Sequence, residues 1–173
     1  MNTYDKPLFS INEMTLEAAE SISKWTYDYP YELYSMDGSE EIISALLKEG
    51  YYLVSFTEVP YFGYFCLGEE ARVPGGYEAG IYLPNETHVI DLGLGIHPEW
   101  TGKGYGPAFM ASILKWIRSN REVSDVRLVV AAFNERAIRL YKKAGFVRHD
   151  LFYTRVGAAD IPFISMVRPG SKM

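Results

Sequence analysis

The stretch His97 to Leu114, HPEWTGKGYGPAFMASIL, carries glycine at every second position from Gly102 to Gly106 and then turns to apolar residues at helical spacing. Glycine weakens ordered backbone, so three of them placed directly before a helix imply a use for it there. The first N–H groups of a helix have no intrahelical partner, and the aligned peptide dipoles put roughly half a positive charge at that end. Glycines let main chain approach an anion and take positive φ in successive turns, which makes a strand, glycine turn and helix a ready phosphate site. Pro107 suits the first turn of such a helix, where its missing N–H costs little, and Lys103 adds a mobile charge. A tight turn with close helix–strand packing is the other reading, and the motif alone does not separate the two.

Two better known glycine motifs fail on spacing. A P-loop needs G-x-x-x-x-G-K-[ST], but the residue five before Gly102 is His97, and Gly104 follows Lys103. The dinucleotide fingerprint G-x-G-x-x-G would end on Pro107 or Phe109. Just upstream, HVIDLGLGI reads as a strand with Ile90, Leu92, Leu94 and Ile96 on one face and Asp91, Gly93, Gly95 and His97 on the other. Two glycines in one strand mark a bulge or a close approach to its backbone, and bare main chain can offer ladder hydrogen bonds to an extended ligand.

Working outward, a short strand is expected at Leu8–Asn12 and a helix from Thr15, its cap, with Ala18, Ile22 and Trp25 inward. TYDYPYELYSMDG (26–38) breaks the periodicity and reads as a connection with a turn of helix. SEEIISALLKE is an amphipathic helix capped by Ser39 and stopped by Gly50. YYLVSFT and YFGYFCLG, joined by EVP, form a hairpin, and a loop rich in glycine and proline covers about residues 69–86. VRLVVAA is a strand, NERAIRLYKKAG a helix from Asn134 to Gly145, and FVRHDLFYTRV and IPFISMV two last strands. Strand–helix–strand crossovers imply local parallel pairing and the hairpin antiparallel pairing, so the architecture is α/β with a mixed sheet and helices on its faces.

The 173 residues read as one domain, 1–173, with an ordinary soluble composition. Acidic residues outnumber basic ones, 22 to 17, so no basic field exists to attract nucleic acid or a membrane surface. Cys66 is the single cysteine, read as a buried thiol; it allows no internal disulfide and sets no metal-ligand spacing. Neither a secretory signal nor a membrane-spanning run is visible, and a reducing cytoplasm is the expected location. A homodimer is compatible with the composition, with no surface assigned to it.

Ile96-His-Pro-Glu-Trp-Thr101-Gly102-Lys103-Gly104-Tyr105-Gly106 resembles the central motif of the GCN5-related N-acetyltransferase family, V-x-P-x-x-[RQ]-G-x-G-x-[GA]. About thirty residues on, Asn134, Ala137, Tyr141, Gly145 and Phe146 match that family's N-x-x-A-x-x-x-Y-x-x-x-G-F. Thr101 departs from the usual arginine or glutamine. The resemblance implies the acyl-CoA N-acyltransferase fold: a mostly antiparallel sheet of six to seven strands with a splayed parallel central pair and about four helices. It implies acetyl-coenzyme A as cosubstrate and direct transfer of acetyl to a primary amine of an unidentified acceptor. By the same resemblance, Thr101 to Gly106 border the pyrophosphate, with the backbone of Gly102 to Gly106 as its cradle. Backbone at Leu94, Gly95 and Ile96 pairs with the pantetheine arm, Asn134 contacts that arm, and Tyr141 approaches the thioester sulfur as general acid.

Each assignment has a plainer competitor. Tyr141 shares the inward face of its helix with Ala137 and Ile138, as a core tyrosine would, and Asn134 is a natural helix cap. Asp91 is a candidate base or amine anchor, against a salt-bridged carboxylate; His88 is the other titratable option, against a strand-end surface residue. The resemblance implies that the region between the first two helices frames the acceptor, here Trp25, Tyr27, Tyr29 and Tyr31 with Asp28 and Glu32; aromatic faces beside carboxylates suit a cation, though at least half of these rings are expected to pack under the sheet. A polyamine, an aminoglycoside-like compound and a peptide amine remain equally open as acceptors. The alternative function is a non-catalytic acyl-CoA-binding sensor or interaction module on the same fold.

Overall fold

The computed structural model describes residues 8–122 and 124–170. Its seven-stranded sheet has the order β1-β2-β3-β4-β5-β7-β6. The strands are β1 (Ser10–Glu13), β2 (Tyr51–Phe56), β3 (Val59–Leu67), β4 (Val89–Ile96), β5 (Asp125–Ala131), β6 (Val147–Val156) and β7 (Ala159–Arg168). The helices are α1 (Leu16–Ile22), α2 (Glu40–Leu46), α3 (Pro74–Glu78), α4 (Gly106–Asn120) and α5 (Glu135–Lys143). β4 and β5 form the parallel pair, with a register of Val89–Asp91 against Asp125–Arg127; the pairs β1–β2, β2–β3, β5–β7 and β6–β7 are antiparallel. Seven strands around one parallel pair is the architecture the sequence implies. Among the described residues there are five α-helices, the expected loop at 69–86 containing α3.

The chain divides into two compact units. One comprises residues up to Cys66 together with Leu94–Ile113. Here Thr15 Oγ1 accepts from Ala18 N (3.1 Å) and Ser39 Oγ from Ile42 N (3.3 Å), so α1 and α2 begin where an oxygen-bearing side chain can take an orphan N–H. Their apolar faces bury Ala18, Ala19, Ile22, Trp25 and Leu46 with Leu53 of β2. A second cluster is aromatic: Phe62 and Phe109, both fully buried, lie 5.4 Å apart between centroids, with Phe9, Phe56, Trp100 and Tyr105 around them. Truncating such a ring removes about 3–5 kcal/mol of packing and transfer energy, so this cluster fixes the chain on either side of the glycine turn.

The other unit comprises Leu67–Gly93 and residues from Leu114 onward. Its core is Val126, Leu128 and Val130 of β5, Phe152 of β6, Phe163, Ile164 and Met166 of β7, and Tyr141 and Phe146. The β3–β4 connection is ordered. α3 starts on Pro74 and contains Gly75 and Gly76, and a Cβ at Gly75 would collide with the Tyr153 carbonyl and Thr154. Gly75 N donates to Thr154 Oγ1 (3.0 Å), and Val73 N to the Tyr82 hydroxyl (3.2 Å). Cys66 is buried, as expected. Among the described residues no helix is long and apolar enough to cross a membrane.

Candidate cofactor cradle and active site

The glycine turn is built from three local decisions. His97 Nδ1 accepts from Glu99 N (3.1 Å) and Pro98–Trp100 forms a 3-10 turn; Thr101 Oγ1 donates to Pro98 O (2.9 Å) and closes it. Gly102 (φ 70°) and Gly104 (φ 87°) then take left-handed conformations on either side of Lys103. Alternation of that kind turns successive N–H groups toward one side, and α4 begins two residues after Gly104 with its orphan donors and dipole. Gly102, Lys103 and Gly104 are exposed, and a Cβ at Gly104 would meet nothing within 4 Å. The turn is exposed main chain at Gly104 rather than a close packing contact.

The flanking side chains are fixed by stacking. Tyr105 lies parallel to Phe56 (5.7 Å, 21°) and edge-on to Trp100 (5.4 Å), and Lys103 Nζ rests 5.4 Å from the Trp100 ring centroid. Lys103 is therefore poised beside the cradle on an aromatic face. Thr101 has its hydroxyl committed to Pro98 and borders the cradle through its backbone.

Upstream, the glycine face of β4 is less bare than the sequence suggests. A Cβ at Gly95 would fall 2.5–2.9 Å from Cε1, Cζ and the hydroxyl of Tyr64, so the close approach to this backbone is made by a ring of the protein itself. Trp25 is buried between Tyr64 (6.0 Å) and His97 (5.0 Å), a core ring as its inward helical position implies. Tyr27 donates its hydroxyl to Ile96 O (2.7 Å), tying the 26–38 connection to the end of β4. Tyr29 is 86% exposed, and Tyr27 and Tyr31 are both half-buried.

In the other unit, Asp91 is 3% exposed and accepts three hydrogen bonds. Oδ1 takes Arg127 Nε (2.7 Å), and Oδ2 takes Arg127 Nη2 (3.0 Å) and Arg72 Nε (2.9 Å). Arg127 Nη1 also donates to Ile81 O (2.9 Å) and Glu86 Oε2 (3.0 Å). Burial opposes the Arg127 charge, but bonds to and the charge of Asp91, then Glu86, outweigh it and hold the guanidinium above its ordinary value. Tyr82 lies under both guanidinium groups at 5.0 Å, and burial raises its phenol above the usual range against the opposing bond from Val73 N. A carboxylate held by two guanidiniums anchors a buried charge cluster. This is the salt-bridged carboxylate weighed against a base or amine anchor for Asp91.

Asn134 Oδ1 accepts from Ala137 N (3.2 Å), so this side chain caps α5 as its competitor reading required. Tyr141 is buried with its ring 6.0 Å from Phe146. His88 is exposed and works through its carbonyl, which accepts from Ser124 N, Asp125 N and Ser124 Oγ. Among the described residues no cluster of His, Cys, Asp or Glu is arranged to hold a metal. The sequence analysis missed Arg72, Glu86, Tyr82 and Tyr64. One signal was present: Arg127 is the lone charge inside an apolar strand, and a buried arginine needs a carboxylate.

With this geometry in view, comparison with known proteins is informative. The family model described as acetyltransferase (GNAT) family matches residues 19–146. The chain is 32% identical over 63 residues to the L-amino acid N-acetyltransferase AaaT of Escherichia coli (strain K12), covering 36% of this chain and 39% of that one. It is 41% identical over 70 residues to the mycothiol acetyltransferase of Acidothermus cellulolyticus, covering 39% and 21%. The matched stretches thus span well under half of these relatives' lengths. In fold it is similar to YncA of Salmonella typhimurium, solved with its cofactor acetyl-CoA: TM-score 0.66, 13% identity, 95% of each chain.

Proposed function

We propose that this chain, which belongs to the acetyltransferase (GNAT) family, moves an acetyl group from acetyl-coenzyme A directly to a primary amine. The observation that carries the reading is the exposed pair of left-handed glycines, Gly102 and Gly104, opening α4. Backbone donors from Gly102 to Gly106 fit a pyrophosphate, and Lys103 can leave the Trp100 face to add its charge. Leu94 and Gly95 offer main chain to the pantetheine arm, and Ile96 O is shared with Tyr27. Acetyl-coenzyme A supplies the activated thioester when bound.

The protein's part is proton management and orientation. A lysine-like amine of pKa ~10.4 is neutral about once in 2,500 molecules at pH 7, a deficit of about 4.6 kcal/mol. With Asp91 bound to two guanidiniums, deprotonation falls to solvent and to the electrostatics around the amine rather than to that carboxylate. Tyr141 holds a phenolic proton for the departing thiolate. Asn134 keeps α5, and with it Tyr141, in place through its cap, and Asn134 also serves the pantetheine arm.

A non-catalytic acyl-CoA-binding module is the second reading, favoured by the committed oxygens of Asp91. Calorimetric titration with acetyl-CoA, with NADH and ATP as controls, tests the cradle. Binding of acetyl-CoA alone, lost in Gly104→Asp, supports it; binding of NADH or ATP instead, or of nothing, refutes it. Release of free coenzyme A thiol with amines then separates the two readings. Tyr141→Phe is expected to lower kcat about 10²- to 10³-fold with acetyl-CoA affinity unchanged. An equal rate removes Tyr141 as the acid.

A further inference from the structure

The loop that opens α4 carries more unpaired polar groups than its glycine main chain. Lys103 is exposed and makes no ion pair with a carboxylate among the described residues; its Nζ rests 5.4 Å from the centroid of the Trp100 ring. A lysine laid on an indole in water is weakly held and leaves it for a phosphate, where charge-assisted hydrogen bonds make the stronger contact. Trp100 itself is half-buried and meets Phe56 (81°) and Tyr105 (79°) at steep angles, with Phe62 at 6.4 Å. The indole is wedged among these rings, and the group over its face is the Lys103 ammonium. Its Nε1–H has no partner among the described residues, and no unpaired side-chain nitrogen or oxygen among them is buried, so this edge of the ring reaches solvent. Trp100, Lys103, Phe56 and the glycines all belong to one compact unit, which fixes the ring relative to the glycine turn.

We propose that Trp100 is a specificity-determining residue for the acyl donor: as Lys103 moves onto the pyrophosphate, the indole face it uncovers stacks on the purine base of the ligand. The inference rests on the acetyl-coenzyme A reading of the glycine turn and names the part of that ligand this ring recognises. Base–aromatic stacking contributes about 5- to 150-fold in affinity. A ring already wedged in place loses little freedom on binding. The donor selected in this way is a thioester that carries a nucleotide. The same acetyl thioester on phosphopantetheine keeps the arm and a phosphate but has no base, and so has nothing to set on Trp100.

The test uses the full chain as wild type, Trp100→Leu and Trp100→Tyr. Each is titrated, by direct or competitive calorimetry, with acetyl-CoA and with acetyl-phosphopantetheine. Trp100→Leu is expected to weaken acetyl-CoA by about 5- to 150-fold and to leave acetyl-phosphopantetheine unchanged. Trp100→Tyr keeps a ring face and recovers part of the loss. Fluorescence of the wild type gives a second readout, because a stacked purine quenches an indole. Acetyl-CoA is expected to quench it and acetyl-phosphopantetheine is not, and the quench vanishes in Trp100→Tyr, which retains Trp25 and Trp116. Equal losses for the two ligands in Trp100→Leu show that the ring only shapes the turn, and overturn the proposal. An acetyl-CoA affinity that Trp100→Leu leaves unchanged overturns it too, as does tight binding of acetyl-CoA without the quench; in either case the reading of the glycine turn stands. A wild-type chain that binds no acetyl-CoA overturns that reading itself, and this proposal with it.

Discussion

Gly95→Ala puts two explanations of one glycine in direct competition. If Gly95 exists to expose backbone to a ligand, a methyl group there leaves the free protein unharmed and weakens acetyl-CoA. If Gly95 exists to seat Tyr64, the free protein itself suffers. The new Cβ would lie 2.5 Å from Tyr64 Cε1, 2.8 Å from Cζ and 2.9 Å from the hydroxyl, each inside the distance real Cβ atoms tolerate. The ring has little room to withdraw, since Trp25 is 6.0 Å and Tyr51 6.4 Å away, and Trp25 is itself set against His97. Overpacking of this kind costs about 1–3 kcal/mol. Because φ at Gly95 is not positive, alanine recovers about 0.4–1 kcal/mol from the unfolded chain. The net expectation is a loss of about 1–2 kcal/mol, a fall of roughly 3–6 °C in Tm for a chain of this size. Urea denaturation of Gly95→Ala, Tyr64→Leu and the double variant measures it. With the ring gone, the alanine is expected to be neutral or stabilising, giving a coupling energy of about 1–3 kcal/mol. A wild-type background in which Gly95→Ala is neutral would refute the steric account and return Gly95 to the ligand.

The remaining predictions concern the second unit. Asp91→Asn leaves Arg72 and Arg127 without their shared counter-ion and should cost about 3–5 kcal/mol in denaturant melts; a stable variant that has lost only turnover would mean Asp91 acts as a base after all. Asn134→Ala is expected to cost about 0.5–2 kcal/mol through the lost cap, whereas Asn134→Asp keeps the cap. If the Asp variant is stable and its acetyl-CoA affinity, by calorimetry, is unchanged, Asn134 has no part in holding the ligand. The Tyr82 phenol is raised above its usual value by burial, so the folded chain keeps a proton that the unfolded chain releases above about pH 10. Its stabilisation is present below that pH and is lost as pH rises through the folded value. Tyr82→Phe should flatten the alkaline limb of a stability–pH curve, and an unaltered limb would show that another group sets it.

What the sequence disclosed and what it hid divide along contact range. The caps Thr15, Ser39 and Asn134 each act on an N–H three residues away, so the helix starts were legible. The glycine turn was legible for the same reason: Gly102 and Gly104 answer to their own φ angles. α3 was not, because Pro and two glycines in five residues read as a breaker. Its glycines are chosen by Thr154 and Tyr82, which would strike a Cβ at Gly75 and Gly76. The ion pairs of Asp91 were left as one of two readings because its partners lie 19 and 36 residues away. Of the aromatic run at 25–31, helical spacing from Thr15 turned Trp25 inward, but nothing local showed that the Tyr27 hydroxyl donates to a carbonyl of β4, since that depends on where the strand ends.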